Sequence, residues 1–459
     1  MKPMSRRTLL QSATLGAFAV AANCAPQKPE DVATSLTELD GVATAKRIQS
    51  GELSASEVLE AAIRRAEQVE PQINAMTNTY FDKARNTNMA PGPMGGVPFM
   101  VKDLHDWKGT TNTYGSRAFE GHMSETQSPY MDALLGSGFQ PFAKSASPEM
   151  GLLASTEPLS NGATRNPWNT DHIPGGSSGG AAAAVAAGVI PVAHATDGGG
   201  SIRIPASCCG LFGLKPSRDR MLSHGDENVP VRISVQHVVS RTVRDSAVAF
   251  AATERKGADK VYDPVGVVDG PSTRRLKIGL MIDPITTSAL DPEVKAATEA
   301  VAKLCESLGH EIVNVKVPFD GDEFTQAFLL YWAAGAGAFA QDAAAYTGQE
   351  PNPDILEPWT LGLAQWAAQT PSEEHLRAMG YLRATDKLYA SMFENADIIL
   401  SPTLAKPPLR IGDTAPTVDF ETLRQRTLEF AAYTPVANAA GAPAMSVPLG
   451  WSSQGLPIG

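Results

Sequence analysis

A single large α/β domain, its sheet covered by helices on both faces, is the fold class that this chain predicts. Two observations point there. Apolar runs of strand length alternate with stretches of helical periodicity along the chain. Its 40 glycines and 34 prolines are spread through 459 residues, with no long charged or low-complexity linker to divide domains.

The elements follow in chain order. Ser54 and Glu57 form a capping box, and Val58, Leu59, Ala62, Ile63, Ala66 and Val69 recur at helical spacing, so a helix is expected that stops before Pro71. Gly96-Val97-Pro98-Phe99-Met100-Val101 is an apolar run that carries Lys102 into the interior on a buried strand. Residues 178–188 are small and alanine-rich and read as a helix opening at glycines; 189–195 read as a short buried strand returning from it. Further on, 276–282 and 311–317 read as strands, 291–308 as the helix between them, and 396–400 as another buried strand. Residues 324–392 are helix-rich and hold Trp332, Trp359 and Trp366, for which core packing is the default reading.

Composition excludes some partners. A formal net charge of −11 argues against nucleic acid or an anionic membrane surface. Eight scattered histidines without H-E-x-x-H, and four cysteines without a paired C-x-x-C, give no metal site. No Gly-Lys-Ser/Thr completes a P-loop and no G-x-G-x-x-G follows a strand, so no cofactor is expected. The first thirty residues differ in kind. Ser5-Arg6-Arg7-Thr8-Leu9-Leu10 resembles a twin-arginine export signal ahead of a run, 9–22, too short and small for a membrane span. Cleavage is expected after Ala19-Val20-Ala21; Ala21-Ala22-Asn23-Cys24 offers the alternative of a lipoprotein box with Cys24 lipidated. Residues 1–30 are thus read as an export signal that places the mature domain, 31–459, outside the cytoplasm.

Two glycine-rich runs carry the candidate chemistry. Pro174-Gly175-Gly176-Ser177-Ser178-Gly179-Gly180 is followed, twenty-four residues after Ser177, by Asp197-Gly198-Gly199-Gly200-Ser201-Ile202-Arg203. A helix out and a strand back can return Ser201 to the end of the unit where Ser177 lies. A serine is too weak an acid to attack a carbonyl unaided, and a lysine can serve as its base only when burial or neighbouring charge lowers its pKa, which suits Lys102. Glycines 198 to 200 lack side chains, so successive N–H groups can converge on one anion. Two rival readings stand beside this one. Gly176-Ser177-Ser178-Gly179-Gly180 also satisfies the G-x-S-x-G elbow of α/β-hydrolases, with Ser178 as nucleophile and His194, His224 or His237 as base, but the turn-like 164–174 supplies no strand before it. Alternatively both loops cradle an anion in a non-catalytic binding module.

At these residues the chain resembles the amidase signature family. Further segments match in family order: Gly92-Pro93-Met94-Gly95-Gly96-Val97-Pro98-Phe99-Met100-Val101-Lys102-Asp103, Asn166-Pro167-Trp168, Gly213-Leu214-Lys215-Pro216 and Asn438-Ala439-Ala440-Gly441-Ala442-Pro443-Ala444. The resemblance implies a large mixed sheet in a three-layer α/β/α domain. It makes Ser201 the acyl-enzyme nucleophile, Ser177 the relay serine after a cis Gly176-Ser177 bond, and Lys102 the base. The N–H groups of Gly198, Gly199, Gly200 and Ser201 become the oxyanion hole. Most members carry a β-branched residue where this chain has Gly198. The region around 324–392 shapes the acyl pocket in the family, which makes its three tryptophans candidates for the substrate wall. Asp103 and Asp197 are read as structural carboxylates, Arg203 as pairing with a nearby carboxylate or carbonyl, and Cys208 and Cys209 as small core residues. Members usually continue past Gly455-Leu456-Pro457-Ile458-Gly459 with a further strand and helix. In wording the motifs are closest to the 6-aminohexanoate cyclic-dimer hydrolases. The implied partner is a small uncharged cyclic or linear amide, with ester cleavage as a side activity and a homodimer as the assembly to consider. The runner-up is the amidotransferase A subunit that frees ammonia from glutamine, which an export signal opposes.

Overall fold

The computed structural model describes residues 37–459 apart from 89, 226, 227 and 287; the leader and Cys24 lie outside the described residues. In the N-terminal part, β1 (Met76–Thr79), β2 (Pro98–Lys102) and β3 (Gln140–Ser145) form a sheet in the order β1-β3-β2, with β2 parallel and β1 antiparallel to β3. Next come β4 (Val192–Asp197), β5 (Phe212–Lys215) and β6 (Val235–Ser240), an antiparallel ribbon ordered β5-β6-β4. Strand β2 lies against β4, and the Lys102 backbone N–H donates to His194 Nδ1 at 3.4 Å. A parallel trio follows, β7 (Lys277–Leu280), β8 (Glu311–Asn314) and β9 (Ile398–Leu400), in the order β8-β7-β9. Finally β10 (Ala444–Ser446) extends the ribbon beside β5, and β11 (Gly450–Trp451) pairs with β12 (Pro457–Ile458).

Alternation along the strands builds two apolar layers. On β2, Met100 packs with the helices Ala55–Ile73 and Gly179–Ala186, whereas Phe99 and Val101 face Tyr130, Met131, Val248 and Ala249 of the helices Pro129–Gly136 and Val243–Thr253. The Gly179–Ala186 helix is buried throughout, which is why it contains only Gly, Ala and Val. A Cβ at Gly179 would stand 2.3 Å from Thr156 Oγ1, and one at Gly180 2.4 Å from the Ala146 backbone nitrogen. A third group of helices, Gly321–Thr347, Pro358–Gln369 and Ser372–Ser391, packs together over the glycine loops.

The expected elements are present with shifted ends. The first long helix does not stop before Pro71 but runs to Ile73. A proline in the last turn removes one N–H bond, and the buried Ile73 holds that turn to the core. Strand β4 starts only after Pro191 and runs on to Asp197, delivering the second glycine loop directly from the sheet. Residues 396–400 were expected to be buried, yet Ile398 is 43% exposed, because β9 has a strand neighbour on one side only.

Candidate active site

Strand β2 ends at Lys102, whose side chain is fully buried. Its Nζ lies 2.7 Å from Ser177 Oγ and 2.9 Å from Thr196 Oγ1. Burial pushes the amine down to about 7, against the pull of the Asp197 charge. Two hydroxyls thus hold an amine whose charged form is disfavoured by burial.

Ser177 follows a cis peptide bond from Gly176. No side chain fits at Gly176, where a Cβ would meet the Ser155 carbonyl oxygen at 2.4 Å. The neighbouring Ser178 is engaged otherwise: its Oγ accepts from the Thr196 N–H and donates to the Thr196 carbonyl, both at 3.3 Å. The elbow reading fails here, because that hydroxyl is tied to β4 and not to an imidazole. His194 Nε2 pairs with Gln236 Oε1 at 2.9 Å and His237 Nε2 with Ser246 Oγ at 2.8 Å. Burial holds both rings neutral, each at about 3.

The second loop is clamped by charge. Buried Asp197 accepts from Arg203 Nε and Arg203 Nη2, each at 2.9 Å, and from Asn438 Nδ2 at 2.8 Å. Burial would raise this carboxyl, but Arg203 outweighs it and holds the group at about 2. Arg203 also donates to the Thr434 carbonyl at 2.9 Å, and Thr434 Oγ1 donates to the Gly199 carbonyl at 2.7 Å. Asp197 thus acts as the structural carboxylate expected of it, and Arg203 has both a carboxylate and a carbonyl partner.

One oxyanion-hole expectation is corrected. The Gly200 N–H is taken by Asp197 Oδ1 at 2.7 Å, so it is not free for substrate. Among the described residues, the N–H groups of Gly198, Gly199 and Ser201 have no protein acceptor, so three of the four donors expected to face an oxyanion stay available. Gly200 has φ 136°, and a Cβ there would meet Thr434 Oγ1 at 2.4 Å, so its role is to turn the loop.

Ser201 lines a cavity that encloses about 730 Å³ including its mouth. Its walls are Leu152, Phe324, Phe328, Trp332, Trp359 and other uncharged residues. Trp332 and Trp359 thus belong to the wall, with both indole N–H groups turned to the Leu152 carbonyl at 3.2 and 3.4 Å, while the half-buried Trp366 packs against the core and does not line the cavity. Sequence reasoning missed Thr196, Thr434 and the role of Asn438. Thr196 stands one residue before Asp197 and could have been found as a hydroxyl at the strand end; nothing local ties 434 or 438 to residue 197.

A buried amine on one serine and a second, buried serine lining an apolar cavity form an arrangement suited to acyl transfer. The family model Amidase matches residues 57–459, and the chain belongs to that family, the amidase signature enzymes, which act on C–N bonds. It is 39% identical over 430 residues to a Mycobacterium tuberculosis protein provisionally named amidase AmiC, covering 93% of this chain and 90% of that one. It is 33% identical over 452 residues to the 6-aminohexanoate-cyclic-dimer hydrolase of Paenarthrobacter ureafaciens, covering 92% and 90%. A solved structure of a 6-aminohexanoate cyclic dimer hydrolase superposes with a TM-score of 0.83 at 30% identity, covering 92% of each chain. The three-layer amidase signature fold expected from the sequence is the fold observed.

Proposed function

We propose that this amidase cleaves an uncharged carboxylic amide through an acyl-enzyme on Ser201. Neutral Lys102 accepts the Ser177 hydroxyl proton while Ser177 accepts that of Ser201, whose Oγ attacks the amide carbon. The carbonyl π electrons move to oxygen, and the N–H groups of Gly198, Gly199 and Ser201 receive the oxyanion. Collapse of the tetrahedral intermediate breaks the C–N bond as the relay returns a proton to the leaving amine. Water then enters by the same proton path and releases the acid, restoring Ser201.

The observation that carries this reading is the Lys102 amine, buried and held by two hydroxyls with no ion-pair partner among the described residues. An uncharged substrate is supported by the cavity wall, which contains no Asp, Glu, Lys or Arg among the described residues. Glutamine, with a charged amine and carboxylate, would find no partner there, which weighs against the amidotransferase alternative. The test is exposure to a fluorophosphonate followed by intact-mass measurement and peptide mapping. An adduct on Ser201 that forms far more slowly in Lys102→Ala is expected; an adduct on Ser178 instead would sink the assignment. Export by the Ser5-Arg6-Arg7 leader is proposed from the sequence alone. Replacing both arginines by lysine should retain the protein in the cytoplasm, as read by cell fractionation.

A further inference from the structure

The helix Gly321–Thr347 presents Phe324, Phe328 and Trp332 at four-residue spacing, so that the three rings form one stripe along the cavity. Phe328 and Trp332 lie nearly parallel, 22° between planes with centroids 5.8 Å apart. This pair abuts the oxyanion loop itself. A Cβ at Gly198 would stand 3.2 Å from Trp332 Cζ3 and 3.3 Å from Cη2, and one at Gly199 3.3 Å from Phe328 Cζ. The indole is fixed at its other end by the bond from Nε1 to the Leu152 carbonyl. Ring and loop are therefore in contact because residue 198 has no side chain.

That contact decides what the first atoms of an acyl group meet. A carbonyl carbon within reach of Ser201, with its oxygen on the loop N–H groups, would place its α-substituent beside the same two rings, which line the cavity that Ser201 lines. A flat apolar ring can stack there; a flexible alkyl chain gains burial only. We infer that Trp332 is the specificity-determining residue of this site, that Gly198 is the position that admits it, and that the preferred substrates are amides of acids bearing an aromatic ring close to the carbonyl. The inference rests on the proposed Ser201 mechanism and goes beyond it to the acyl class.

The test compares the 4-nitroanilides of phenylacetic and hexanoic acids, which share one leaving group. The unsubstituted enzyme should favour the phenylacetyl compound in kcat/KM. Trp332→Leu should lower that ratio by about fivefold to tenfold, the range open to an aromatic pair, whereas Trp332→Phe should keep most of it. Gly198→Ala should depress phenylacetyl turnover in the parent and do so much less in the Trp332→Leu background, because the added methyl no longer meets the indole. An unchanged ratio in Trp332→Leu, or an equal effect of Gly198→Ala in both backgrounds, overturns the inference. So does failure to cleave either anilide while Ser201 still takes a fluorophosphonate. If Ser201 takes none, the proposed mechanism falls first and the inference with it.

Discussion

The two sides of the cavity are built on opposite principles. On one side, the loops around Lys102, Ser177 and Ser201 are polar, glycine-rich and wired by named hydrogen bonds; on the other, Phe324, Phe328, Trp332 and Trp359 form an apolar wall held by packing. The loop side tolerates almost no change in backbone, since Gly176, Gly179, Gly180 and Gly200 all have neighbours where a side chain would go. The wall side can exchange one apolar group for another at small cost. One face is thus fixed in its backbone and the other adjustable in its side chains.

The sharpest way to break this contrast is at the reacting groups. Ser201→Ala and Lys102→Ala should each lower kcat by about 10³-fold or more with the fold retained, as read by circular dichroism beside steady-state rates. A second measure tests the wiring. Arg203→Met strands the Asp197 carboxylate in the interior and should cost about 3–5 kcal/mol in urea unfolding; a loss below about 1 kcal/mol would mean that the clamp is dispensable. Third, with Lys102 lowered to about 7, protonation removes the base as pH falls, so kcat/KM should rise through pH 7 and level off above it. A flat profile on the acid side would show that another group limits the rate. Fourth, Ser178→Ala and His237→Ala should keep kcat within about threefold, since neither side chain touches the relay. The smallest effect is expected for Trp366→Phe, since Trp366 does not line the cavity and its loss should leave the ratio of phenylacetyl to hexanoyl turnover unmoved.

The same contrast explains what could be read from the chain. The places of Lys102, Ser177 and Ser201 were legible because each is set by local backbone: a strand end, a glycine-rich turn, a strand running straight into the next loop. The fold class was legible for a similar reason, as the alternation of elements is a local property. The bond that takes the Gly200 N–H was not, because it depends on which way Asp197 turns its carboxylate, and that is decided by Arg203 and Asn438. Nor could Trp332 and Trp359 be separated from Trp366 by spacing, since all three sit in helices that are apolar on more than one face and only the packing of those helices shows which indoles face the cavity. Strand ends moved where proline or an unpaired edge intervened, at Pro191 and at Ile398.

The bond from Asn438 to Asp197 spans 241 residues. A ribosome adding about 5–20 residues per second makes the segment with both serines roughly 10–50 s before it makes Asn438. Throughout that interval the nascent chain carries Ser177 and Ser201 without the Thr434 and Asn438 contacts that set the loop's geometry. On the proposed mechanism, a growing chain stalled short of residue 434 should therefore be catalytically silent although it already carries Lys102, Ser177 and Ser201.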